Sequence, residues 1–111
     1  MNALLFFTHI LAYQYLKHAT LADKSFSPAW GNLGIIYKLS GYYQEAEFAY
    51  IRAINLQYNN LNSLSNLALL MNEQDRVAEA AMIEEHINDI RINNSYFHAL
   101  LGNDAFYNKS Y

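Results

Sequence analysis

Ser27-Pro28-Ala29-Trp30-Gly31-Asn32-Leu33-Gly34, followed by Tyr37, Gly41, Ala46, Tyr50 and Ala53, decides how this chain folds. Small and large apolar residues stand there at offsets that recur 34 residues earlier and later. Trp30 leads to Leu64 and His98, Leu33 to Leu67 and Leu101, Gly34 to Ala68 and Gly102, and Tyr37 to Met71 and Ala105. Ala46 looks back to Ala12 and on to Ala80; Ala53 looks back to Ala19 and on to Ile87. Self-similarity at this period is the signature of stacked helix pairs. Gly34, Ala46 and Ala53 are small enough to let antiparallel helices approach closely. Trp30, Tyr37 and Tyr50 are large enough to fill the wedge between one pair and the next.

Working outward, the pattern predicts six helices. The first runs from Asn2 to about Ala22, with Leu5, His9, Ala12, Leu16 and Ala19 on one stripe and Gln14, Lys17 and His18 facing elsewhere. A polar turn over 23–27 ends at Ser27, an expected N-cap, and Pro28 takes the first helical position, where its missing donor costs nothing. The second helix runs from Pro28 to Ser40 and stops at Gly41, which adopts left-handed backbone cheaply. The third covers Tyr43 to Gln57, and Asn59-Asn60 forms the next turn and caps the fourth helix. That fourth helix covers Leu61 to Glu73. Asp75 is expected to cap a fifth over Arg76 to Ile92. Asn93-Asn94-Ser95 repeats the turn chemistry before a sixth over Tyr96 to Tyr107. No strand alternation persists, so the expected class is all-α.

Composition narrows the function classes. The 111 residues are 53% hydrophobic, enough for a core and too apolar for a disordered segment. A net charge of −3, with Lys and Arg scattered, offers no field for nucleic acid or acidic lipid. There is no cysteine, which excludes disulfides, zinc thiolates and thiol catalysis. Cytosol and periplasm remain compatible with that; the cytoplasm is the expectation. The apolar start, Met1-Asn2-Ala3-Leu4-Leu5-Phe6-Phe7, has no Lys or Arg before Lys17 and is interrupted by Thr8, His9 and Gln14. It reads as a half-buried helix and not as a signal or membrane anchor.

The set Trp30, Leu33-Gly34, Tyr37, Ala46, Tyr50 and Ala53 resembles the tetratricopeptide repeat. The resemblance covers a full repeat over 27–60 and a second over 61–94. Residues 1–26 stand as the second helix of an earlier repeat, and 95–111 as the first helix of a later one. Tyr58 stands where the family usually has proline, Glu84 replaces the aromatic at Tyr50, and Asp75 and Lys109 replace Gly41. The stretch Asn93-Asn94-Ser95-Tyr96-Phe97-His98-Ala99-Leu100-Leu101-Gly102 is also similar to repeats accompanying bacterial transglutaminase-like proteins, whose cysteine chemistry this chain cannot perform. The family resemblance implies a right-handed superhelical array, an α-solenoid, whose first helices line a concave groove.

Asn32 and Asn66, one period apart, would then stand one above the other in that groove. This resembles the asparagine ladders that grip a peptide backbone in some family members. A carboxamide both donates and accepts, so it matches a peptide unit. Each hydrogen bond adds only about 0.5–1.5 kcal/mol, whereas micromolar binding needs about 8 kcal/mol. Ile35, Leu39, Leu69 and Tyr107 are the candidate apolar anchors, and Lys38 offers a charge. The competing reading leaves Asn32 and Asn66 as ordinary surface residues with local hydrogen bonds. Lys38 nearly alone does not make a receptor for acidic chaperone tails.

Catalytic chemistry is not legible. His9, His18, His86 and His98 lack helical metal-ligand spacing, and His98 takes the packing place of Trp30. Glu45/Glu47 and Glu84/Glu85 read as solvated helix surface, and no glycine loop cradles a phosphate. No cofactor is expected. Neither end resembles the polar cap that closes a natural array. The chain is therefore expected to belong to a longer repeat protein, or else to pair its ends in a homo-oligomer or cover them with the long first helix. The expected function is a non-enzymatic scaffold for a protein or peptide partner. The alternative is a structural spacer or oligomerisation segment whose groove binds nothing.

Overall fold

The computed structural model describes the backbone of residues 3–101, with side chains over 9–96 and at 99 and 100. Tyr107 and the distal half of the expected sixth helix lie outside the described residues, as does the side chain of His98. Five helices and no strand occur among the described residues: α1 (Ala3–Ala22), α2 (Ser27–Leu39), α3 (Tyr43–Leu56), α4 (Leu61–Glu73) and α5 (Val77–Leu101). Each helix packs on its neighbour in sequence, and α2 also touches α4. The result is an elongated body of 56 × 33 × 26 Å.

The spacing between small residues explains the closeness of α2 and α3. Ala46, Ala49 and Ala53 are fully buried along one face of α3. On the facing helix, a Cβ added to Gly34 would lie 2.6 Å from Cε1 of Tyr50. Tyr50 fills that space at 1% exposure and joins Leu67, Leu70, Met71 and Ala80 in the core between α3, α4 and α5. Leu64, Ile87 and Ile90 extend the core along α4 and α5. Burying each such side chain contributes about 1.5–3 kcal/mol. Trp30 does something different from filling a wedge between helix pairs. Its indole Nε1 donates to the Lys24 carbonyl at 3.0 Å, its ring meets Phe48 edge-on at 6.3 Å, and Arg52 lies 5.6 Å from its centroid. It pins the α1–α2 connection to α3.

The 34-residue period is written in the backbone of the connections. After α2, the Gly41 N–H donates to the Lys38 carbonyl at 3.0 Å and the Tyr42 N–H to the Tyr37 carbonyl at 2.8 Å. After α4, the Asp75 N–H donates to the Asn72 carbonyl at 3.1 Å and the Arg76 N–H to the Met71 carbonyl at 2.8 Å. Both are Schellman closures, with Gly41 at φ +86° and Asp75 at φ +60° in the left-handed position. The other connections also match. Asp23 donates to Ala19 and Phe26 to Asp23; Gln57 donates to Ala53 and Asn60 to Gln57.

Three sequence expectations are corrected. First, the described residues form five helices and not six, because α5 runs unbroken through Asn93-Asn94-Ser95. Asn60 makes a turn where Asn94 does not. The Asn60 amide donates to Ser27 Oγ at 2.9 Å and its carbonyl accepts from the Ser63 N–H at 3.1 Å. One period later Ser27 is replaced by Leu61, which offers no hydrogen-bonding group. Asn inside a helix costs only about 0.7 kcal/mol relative to Ala, so without that anchor the helix continues. Second, Ser27 is not an N-cap. Phe26 holds that place without a side-chain bond, and Ser27 lies inside α2, donating to the Ala53 carbonyl at 2.8 Å. Third, Asp75 does not cap α5; it supplies the left-handed residue that closes α4. The expected cap at Asn60 and the stop at Gly41 stand.

Arg76, next to Asp75, ties α3 to the start of α5. Its Nη2 reaches Glu47 Oε1 at 2.7 Å and also pairs with Glu79. Those two carboxylates hold the guanidinium above its ordinary pKa. His86 packs on Tyr58, with Nε2 3.2 Å from the Tyr58 carbonyl, and so serves the α3–α4 turn.

Candidate functional site: a carboxamide-lined cleft between two helices

The cleft begins with another close approach. Gly31 on α2 faces Ser63 on α4, and a Cβ at Gly31 would lie 2.6 Å from Ser63 Oγ. Ser63 is buried, so this contact forms the floor. Above it opens a cleft of about 350 Å³ whose walls include Asn32 and Ile35 from α2 and Asn66 from α4. The sequence period therefore does bring Asn32 and Asn66 to one place.

More amides converge there than the period alone suggested. Gln57 and Asn59 come from the α3–α4 connection, and Asn62 stands one helical turn before Asn66. Asn60 also lines the cleft, but both ends of its amide are committed to Ser27 and Ser63. Among the described residues, no lining side chain is charged. Such a surface has donors and acceptors side by side and no group that titrates near neutrality. The signal for Asn62 was present in sequence as its four-residue spacing from Asn66. Gln57 and Asn59 were legible only as turn residues.

The remaining expected groove residues are distributed differently. Ile35 is 37% exposed and also borders a second depression of about 320 Å³, shared with Tyr15 and Leu16 of α1. Asn32 and Ile35 thus form a ridge between two depressions. Leu39 and Leu69 are exposed but do not line the cleft. Lys38 lies farther along α2, with its Nζ 3.1 Å from both carboxylate oxygens of Glu73 on α4. Its charge is engaged across the two helices. Tyr107 lies outside the described residues.

Elsewhere the electrostatics are structural. Burial, then the nearby Glu73 carboxylate, pushes the Tyr50 phenol up to about 12. Hydrogen bonds from the Ser25 side chain and backbone lower the pKa of Asp23. Among the described residues, no group of three His, Asp or Glu side chains is placed to hold a metal ion. No helix among them is long and apolar enough to cross a membrane. Neither a family model nor a curated protein matches the chain.

Proposed function

We propose that the chain is a tetratricopeptide-like module that receives an extended protein segment across α2 and α4. The observation that carries this reading is the convergence of Asn32, Asn59, Asn62 and Asn66 on one uncharged cleft. Primary amides bind peptide units through paired donor and acceptor bonds and are indifferent to side-chain charge. Ile35 in the cleft wall, with exposed Leu39 and Leu69 outside the cleft on α2 and α4, supplies apolar anchors, since the hydrogen bonds alone are too weak. The matching connections at 34-residue offset support the stacked-pair reading, and with it a right-handed superhelix of repeats. The module binds and does not catalyse.

The test uses peptides selected from a random, unstructured library on the intact protein. Asn32→Ala with Asn66→Ala should weaken the selected peptides by about 10-fold or more, since two to four hydrogen bonds are lost. Unchanged affinity, or selected peptides that require α-helical structure, would remove the ladder, and a library that yields no binder would favour the spacer role.

A further inference from the structure

A second cleft, remote from Asn66, carries a different chemistry. It lies where α1 meets the end of α2 and the start of α3, and its volume is about 570 Å³. Three phenol rings converge on it: Tyr13 from α1, Tyr37 from α2 and Tyr42 from the connection. Tyr37 sits at the centre, 5.6 Å from the Tyr13 ring at 63° and 6.4 Å from the Tyr42 ring at 85°. Glu45, in the first turn of α3, adds a carboxylate to the wall. Among the described residues no Lys or Arg lines this cleft; Lys17 lines the neighbouring depression, which shares Tyr37 and Glu45.

Two further features point the same way. His9 also lines the cleft, and its Nδ1 is buried without a hydrogen-bond partner among the described residues. Tyr37 is pushed up to about 12 by burial, then by its hydrogen bond and charge interaction with Tyr13, then by the Glu45 carboxylate. The phenol therefore stays neutral, and the Glu45 carboxylate on the same wall supplies the negative charge that a cation would meet.

We propose that Tyr13, Tyr37, Tyr42 and Glu45 form an aromatic cage for a methylated ammonium group. A ring face turned to a cleft presents π density to a soft cation, which is the physical basis of such cages. The carboxylate completes the charge, and His9 Nδ1 offers one hydrogen bond to the remainder of the ligand. The cleft is of the size that holds small molecules. The site does not depend on the peptide groove, because it uses none of the cleft amides.

Choline and 3,3-dimethylbutan-1-ol have the same shape and differ in charge. In NMR titrations of the intact protein, choline should shift the ring resonances of Tyr13, Tyr37 and Tyr42. The neutral isostere should bind about 10-fold more weakly or not at all. Glu45→Gln should weaken choline several-fold. Tyr42→Ala, at a half-exposed ring outside the core, should abolish the discrimination between the two probes without unfolding the chain. A peptide bearing trimethyl-lysine distinguishes the source. Tighter binding than choline identifies a modified protein side chain, and weaker binding identifies a free small cation. Equal binding of choline and its isostere, or shifts confined to other parts of the chain, would overturn the proposal.

Discussion

Gly34 and Tyr50 meet with no room for a β-carbon between them, since the added atom would lie 2.6 Å from the Tyr50 ring. Tyr50 cannot retreat, being enclosed by Leu67, Leu70 and Met71. Gly34→Ala should therefore destabilise the protein by about 1–3 kcal/mol despite the better helix propensity of alanine. Thermal unfolding measures it. Trimming the ring with Tyr50→Leu in the same chain should recover part of the loss, and strict additivity would show that the two do not couple.

Asp75 and Gly41 occupy equivalent left-handed positions, yet only glycine does so without strain. Asp75→Gly should raise stability by about 1 kcal/mol, and Gly41→Ala should lower it by about the same amount. Denaturant midpoints with unchanged slopes would register both. Gly41 has open space around its Cβ position, so any loss there reports backbone conformation alone.

Ser27 links three elements: its hydroxyl donates to the Ala53 carbonyl and accepts from the Asn60 amide. Ser27→Ala leaves the Asn60 amide N–H without its partner in a part-buried place and takes one of two bonds from the Ala53 carbonyl, which keeps that of the Gln57 N–H. The expected cost is about 1–3 kcal/mol. Hydrogen exchange should show the 57–60 turn opening before the rest of the chain in that variant. A loss spread evenly over all helices would argue against a local anchor.

Tyr50 gives the protein a defined alkaline weakness. Its folded pKa of about 12 lies above the ordinary tyrosine value of about 10. The folded state thus holds the proton more tightly than the unfolded state. Stability should be full below pH 10 and fall as pH rises towards 12, at up to about 1.4 kcal/mol per pH unit for this one group. Tyr37 acts with the same sign. Tyr50→Phe should remove Tyr50's share of the slope and leave that of Tyr37.

Helix order, the small-residue faces and the turn period were legible because each depends on residues near one another or one period apart. Gly34, Ala46 and Ala53 announce close packing through size alone. The break expected at Asn93-Asn94-Ser95 failed because turn propensity there is local, whereas the Asn60 turn is held by Ser27, 33 residues away in sequence. Ser27 itself was misread for the same reason: its hydroxyl serves Ala53 on another helix. In the candidate site, Asn32, Ile35 and Asn66 could be placed from helical spacing. Lys38 could not, because its partner Glu73 comes from α4 and periodicity carries no information about such pairing. The tyrosine cleft depended on three elements meeting and left no periodic trace.

The peptide reading makes one spectroscopic demand. A selected peptide added to isotopically labelled protein should shift the side-chain amide resonances of Asn32 and Asn66 together, with backbone shifts running along α2 and α4. Shifts confined to α3 and α5, with the Asn32 and Asn66 amides unmoved at saturation, would contradict it.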